Sequence, residues 1–111
     1  MIRVTVNKDS KRMTSFLLEG HAEFAEAGQD LVCAGASAVT FGAINAVEDL
    51  LGIELPVEQR GGGGYLRCTL PNLEDKEVDD KVQLIMASMI SSLETIQRDY
   101  KSYIKITYHK K

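Results

Sequence analysis

Cysteine and histidine are scarce: of 111 residues only Cys33 and Cys68 are cysteines, and only His21 and His109 are histidines. Neither cysteine has a second cysteine or histidine at the short intervals that zinc sites use, so no metal and no cofactor is expected. In a reducing cytoplasm the two thiols are expected to be free rather than paired. No apolar run approaches the length that spans a bilayer. The chain opens Met1-Ile2-Arg3-Val4, without a basic segment leading into an apolar one, so no secretory signal is visible. A cytoplasmic location with no membrane partner is the expectation. Basic charge is in deficit: 13 Lys and Arg against 16 Asp and Glu leave a formal −3. That argues against a dedicated nucleic-acid binder but not against a basic protein partner. Gly61 to Gly64 lacks the lysine and hydroxyl that follow a phosphate loop, and reads as a hairpin tip.

What is present is an ordinary globular composition, 44% hydrophobic and 26% charged, in a length that holds one core and one domain over residues 1–111. Ile2, Val4 and Val6 alternate with polar residues, the period of a half-buried strand. A turn at Asp9-Ser10-Lys11 and a second strand from Thr14 to Glu19 complete a hairpin ending in Gly20-His21. From Leu31 to Leu51 the spacing is helical, with Cys33, Ser37, Thr40, Phe41, Ile44, Val47 and Leu51 as the stripe and Gly52 as the stop. Gly35 and Gly42 inside this helix cost about 1 kcal/mol each relative to alanine. Close approach of another backbone or a ligand would be the compensation.

Strands at Pro56 to Arg60 and Tyr65 to Leu70 flank the glycine run. Asn72 is positioned to cap a second helix, which starts at Leu73 or Glu74, runs to Tyr100, and carries a Val78-Val82-Ile85-Met86-Met89-Ile90-Leu93-Ile96 stripe. Tyr103 to Tyr108 closes the chain as a strand. The order ββαββαβ predicts an α+β domain in which both helices pack against a largely antiparallel sheet.

His21 and Cys33, twelve residues apart, are the types that make a base and a nucleophile, and both fall at element ends. If Asp30 caps the first helix, Cys33 sits at the third helical position. Backbone N–H groups there lack intrahelical partners, and the helix field favours an anion. The alternative is that Cys33 is a small packed helix residue. Asp30 is read first as a cap and second as a group orienting His21. Ser37, one turn beyond Cys33, either hydrogen-bonds a thiolate or substrate group or bonds its own preceding carbonyl. Cys68, between Leu66 and Leu70, reads as core, and His109 as part of a fraying tail.

Gly20-His21-Ala22, then Gly28-Gln29-Asp30-Leu31-Val32-Cys33-Ala34, then Ser37 form a combined pattern that resembles the ribosomal-processing cysteine proteases called Prp, over essentially the whole chain. The resemblance implies removal of a short N-terminal extension from large-subunit ribosomal protein twenty-seven, in certain Gram-positive bacteria, by a homodimeric enzyme. It implies Cys33 as nucleophile, His21 as general base and then acid, and the stretch from Ala22 to Gln29 as a loop covering the site. Asp30 and Ser37 match motif positions without a settled role. Gly35 and Ala36 stand where many relatives would carry alanine and a branched aliphatic residue, which alters packing near the nucleophile. Cleavage after an aromatic residue implies an apolar pocket. Glu23 and Glu26 would attract a basic ribosomal substrate. The competing expectations are a non-enzymatic ribosome-associated module and a redox sensor, the latter disfavoured by the lack of a nearby resolving cysteine.

Overall fold

The structure, a computed structural model, describes residues 1–21, 30–61 and 64–111. The expected covering loop with Glu23 and Glu26, and Gly62 and Gly63 of the hairpin tip, lie outside the described residues. The elements are β1 (Ile2–Asp9), β2 (Arg12–Glu19), α1 (Leu31–Leu51), β3 (Val57–Gln59), β4 (Tyr65–Thr69), α2 (Lys76–Asp99) and β5 (Ile104–Lys110). This is the expected ββαββαβ order.

The strands form one five-stranded sheet in the order β3-β4-β2-β1-β5. Three pairings are antiparallel, while β5 runs parallel to β1. The sheet is therefore mixed. A parallel neighbour needs a crossover rather than a hairpin, and α2 carries the chain from β4 across the sheet to its far edge. Register stacks Leu66, Leu18, Val4 and Ile106 in one row, with Cys68, Phe16 and Val6 in the next. These rows face the helices and join Val32, Ala36, Val82, Met86 and Leu93 in one core. The opposite sheet face presents Arg3, Arg67 and Lys105 to solvent.

Asp30 caps α1, its carboxylate accepting from Cys33 N at 3.0 Å. Gly52 ends α1 in the left-handed region at φ 70°, its N–H bonded to the Glu48 carbonyl. The buried stripe of α1 is Val32, Ala36, Thr40 and Val47, so Ser37 and Phe41 stand at its exposed margin rather than in the core. The two helix glycines are not explained by close approach: a Cβ on Gly35 would meet only Ile96 Cδ1, at 3.7 Å, and one on Gly42 would meet nothing within 4 Å. With 21 residues and a mean hydropathy of 1.4, α1 is long and apolar enough to cross a membrane, contrary to the expectation that no run approaches that length. A helix packed on a sheet core passes the same test, and α1 packs there.

The cap of α2 is Asp75, accepting from Val78 N at 3.2 Å, not Asn72. The reason lies at Asp79, which accepts the Leu73 N–H at 3.3 Å and so folds the preceding segment back before the helix begins. Asp79 also takes the Arg12 guanidinium in a two-point contact, at 3.0 and 3.2 Å. Arg12 reaches the Pro71 carbonyl as well, at 2.7 Å. One buried carboxylate thus ties β2, the β4–α2 connection and α2 together.

Candidate active site

His21 follows β2 through Gly20, whose φ of +90° suits glycine. A Cβ at Gly20 would collide with the Met1 carbonyl oxygen, so a side chain is excluded by space as well as by backbone angle. The Gly20 N–H donates to the Gly64 carbonyl at 2.8 Å, locking the end of β2 to the start of β4. Gly64 itself has φ +76°, and a Cβ there would lie 2.7 Å from His21 Nε2. The imidazole therefore rests where a Cβ on Gly64 would push it aside. The sequence reading assigned Gly64 to a permissive hairpin tip; the available signal was its place directly before β4, the strand beside β2.

Cys33 is half-buried in the first turn of α1. Its N–H is already occupied by the Asp30 carboxylate, and Ala34 N donates to the Asp30 carbonyl at 3.0 Å. That leaves Leu31 and Val32 as the first-turn amides without intrahelical acceptors. Asp30 is thus placed as a cap, the first of its two expected roles. Cys68 is fully buried between Leu66 and Leu70, and burial pushes its thiol up to about 11. It stays protonated at neutral pH and has no nucleophilic role.

His21, Cys33 and Ser37 line the same cavity of about 300 Å³. Its other walls are largely apolar, with Leu18, Leu66 and Phe41 contributing. At its rim the Arg60 guanidinium stacks on the Tyr65 ring, 3.8 Å from the centroid. Neither residue was singled out in the sequence, because their contact depends on the β3–β4 hairpin register. Ser37 makes no hydrogen bond to another described residue, so the carbonyl-bonded alternative is not seen. Among the described residues no group of three or more His, Cys, Asp or Glu is placed to hold a metal.

A half-buried thiol in a helix's first turn, sharing a cavity with an imidazole, is an arrangement used by cysteine hydrolases. The family model described as cysteine protease Prp matches residues 1–105, and the chain belongs to that family. A ribosomal processing cysteine protease Prp of Bacillus subtilis is 48% identical over 108 residues, covering 96% of both chains. The crystal structure of an essential ribosomal processing protease Prp from S. aureus, in complex with a covalently linked product peptide, superposes with a TM-score of 0.89 at 34% identity, covering 98% of this chain and all of that one. The same S. aureus protease in complex with a substrate peptide gives 0.82 at 33% identity and 98% coverage of this chain. The chain is a cysteine protease, and the alternative of a non-enzymatic module falls.

Proposed function

We propose that this protease removes the N-terminal extension of large-subunit ribosomal protein twenty-seven in the cytoplasm, with Cys33 as nucleophile and His21 as base and then acid. The observation that carries the reading is the shared cavity: the glycine-positioned imidazole and the first-turn thiol open onto one mostly apolar space. The chemistry proceeds by proton transfer from the Cys33 thiol to His21, followed by attack of sulfur on the scissile carbonyl. The helix field favours negative charge at that end of α1. Because Asp30 occupies the Cys33 N–H, Leu31 and Val32 supply the amides for the developing oxyanion. Collapse of the tetrahedral species breaks the C–N bond, and His21 returns its proton to the leaving amine. Water, deprotonated by His21, then hydrolyses the thioester and releases the sulfur.

The covalently linked product peptide on the S. aureus relative supports a covalent route. Ser37 hydrogen-bonds substrate in this reading, which its position on the cavity wall one turn from Cys33 supports. The apolar walls suit an aromatic residue before the scissile bond. A homodimer, implied by the family resemblance, is supported by an exposed apolar surface at Leu84 beside Gly42, along the groove between α1 and α2.

The test is incubation with the precursor ribosomal protein and mass analysis of the product, alongside Cys33→Ala and His21→Ala. Wild-type chain should trim the extension and both variants should not. An uncut precursor, with binding verified, would overturn the substrate assignment.

A further inference from the structure

β3 is an edge strand, and β4 is its neighbour on one side only. Thr69 N donates to the Pro56 carbonyl at 3.1 Å, and antiparallel ladders alternate bonded and unbonded pairs, so Glu58 and Arg67 form the next bonded pair. Cys68 and Leu66 direct their backbone groups the other way, to β2, as the Leu70–Thr14 and Gly20–Gly64 hydrogen bonds at the two ends of that ladder require. The N–H and C=O groups of Val57 and Gln59 therefore point outward from the sheet, with no partner among the described residues. The side chains of these two residues share the face of their partners Cys68 and Leu66, the face that carries the helices and the cavity. Gln59 lines the cavity with Leu66, and Val57 is 37% exposed. Glu58, between them, faces the opposite side with Arg67.

We infer that the outer edge of β3 docks the main chain of the substrate: an extended segment of the polypeptide to be cut adds to the sheet there as a further strand, hydrogen-bonded to Val57 and Gln59. An edge strand is a template for another chain, because its row of outward N–H and C=O groups recognises backbone. The position suits proteolysis. The edge runs to the wall of the cavity that holds His21 and Cys33, so a strand paired there enters in a fixed register, which is what orientation of a scissile bond requires. Alternation then sets specificity. Substrate residues beside Gln59 and Val57 point to the cavity side, so one side chain enters the cavity while another, two residues away, packs on the exposed Val57. The residue between them faces the other side of the sheet and is free to vary. The inference rests on that cavity being the active site and not on which protein is cut.

The probe is a peptide that the wild-type chain cuts: the ribosomal extension or, where that stays whole, one selected from a random-sequence library, so the measurement does not depend on the substrate assignment. The Cys33→Ala chain holds it without turnover. Replacing the peptide's amide N–H groups by N-methyl one at a time should weaken binding about fivefold at two positions two residues apart, each the loss of one peptide hydrogen bond, and should leave the position between them near the unmethylated affinity. In the same complex, exchange of the Val57 and Gln59 amides, read by NMR, should slow about tenfold at a peptide concentration about ten times Kd, where about a tenth of the chain is free. Outer-edge amides of β5, the other edge strand, should not change. Methylation effects that are absent or lack the alternation, or unchanged exchange at Val57 and Gln59, would each overturn the inference. Slowing that follows chain concentration without peptide would overturn it too, by assigning the edge to a second copy.

Discussion

Replacing Gly64 with alanine separates the cost of a backbone conformation from the cost of moving the imidazole. Gly52 supplies the control, because both glycines have left-handed backbones, at φ 76° and 70°. An L-residue in that region costs about 1 kcal/mol, so both variants should lose similar stability, a fall in melting temperature of about 5 °C for a domain near this size. Their surroundings differ. The Cβ of Gly52→Ala would meet nothing within 4 Å, whereas that of Gly64→Ala would stand 2.7 Å from His21 Nε2 and 3.2 Å from Cε1.

Ordinary packing needs roughly 3.5–4 Å between carbon atoms, so the ring must retreat by about 1 Å. An exposed side chain moves at little thermodynamic cost, which keeps the stability loss close to that of the control. A misplacement of about 1 Å in a catalytic group is enough for a loss of about a hundredfold in rate. Melting curves and kcat/KM on an extension peptide, measured for both variants, give the comparison. Equal activity in Gly64→Ala and Gly52→Ala would refute the placement of His21 as the working base.

Iodoacetamide at neutral pH should add one label to the folded chain, at Cys33, with Cys68 labelled only after unfolding, because burial holds that thiol near 11; labelling of both at similar rates, read by mass spectrometry, would contradict this. Removing the cap by Asp30→Ala should cost about 1 kcal/mol in a urea melt, and should also free the Cys33 amide. Stability should fall on acidification through Asp79. The Arg12 guanidinium holds its carboxyl below the ordinary 3.8, so as pH drops under that value the unfolded chain takes up a proton that the folded chain does not. The loss is complete once Asp79 itself protonates at its lower folded value, and urea melts of Asp79→Asn should show a shallower acid dependence than wild type.

Much of the fold was legible because its signals are periodic. Alternation marks β1 and the three-to-four spacing marks both helices, and His21 and Cys33 stand out because they fall where those elements end. The parallel β5 was not legible, since a short apolar alternation carries no information about which edge it joins. The α2 cap was misplaced for a similar reason: Asn72 has good capping chemistry, but the Leu73 amide is captured by Asp79, 6 positions away. The α1 stripe read from spacing is slightly rotated from the buried one, because Ser37 and Phe41 face the cavity and not the core, and cavity and core make the same pattern in sequence.

Gly64 shows a deeper limit. A glycine in a run of four looks like slack, and it acquires its role only from what the sheet brings beside it. The two ends of that sheet are built on opposite terms. At one end Arg12 and Asp79 bind β2 to α2 through charge-assisted hydrogen bonds, in a site where truncating one partner leaves the other unpaired. At the other, one Gly20–Gly64 backbone hydrogen bond extends the β2–β4 ladder past its last pair, and the two glycines leave the space that His21 fills. Ile2, Ala36 and Leu66 belong to the core and to the cavity wall at once, so the room beside His21 is made by glycines at the strand ends and not by gaps in the core.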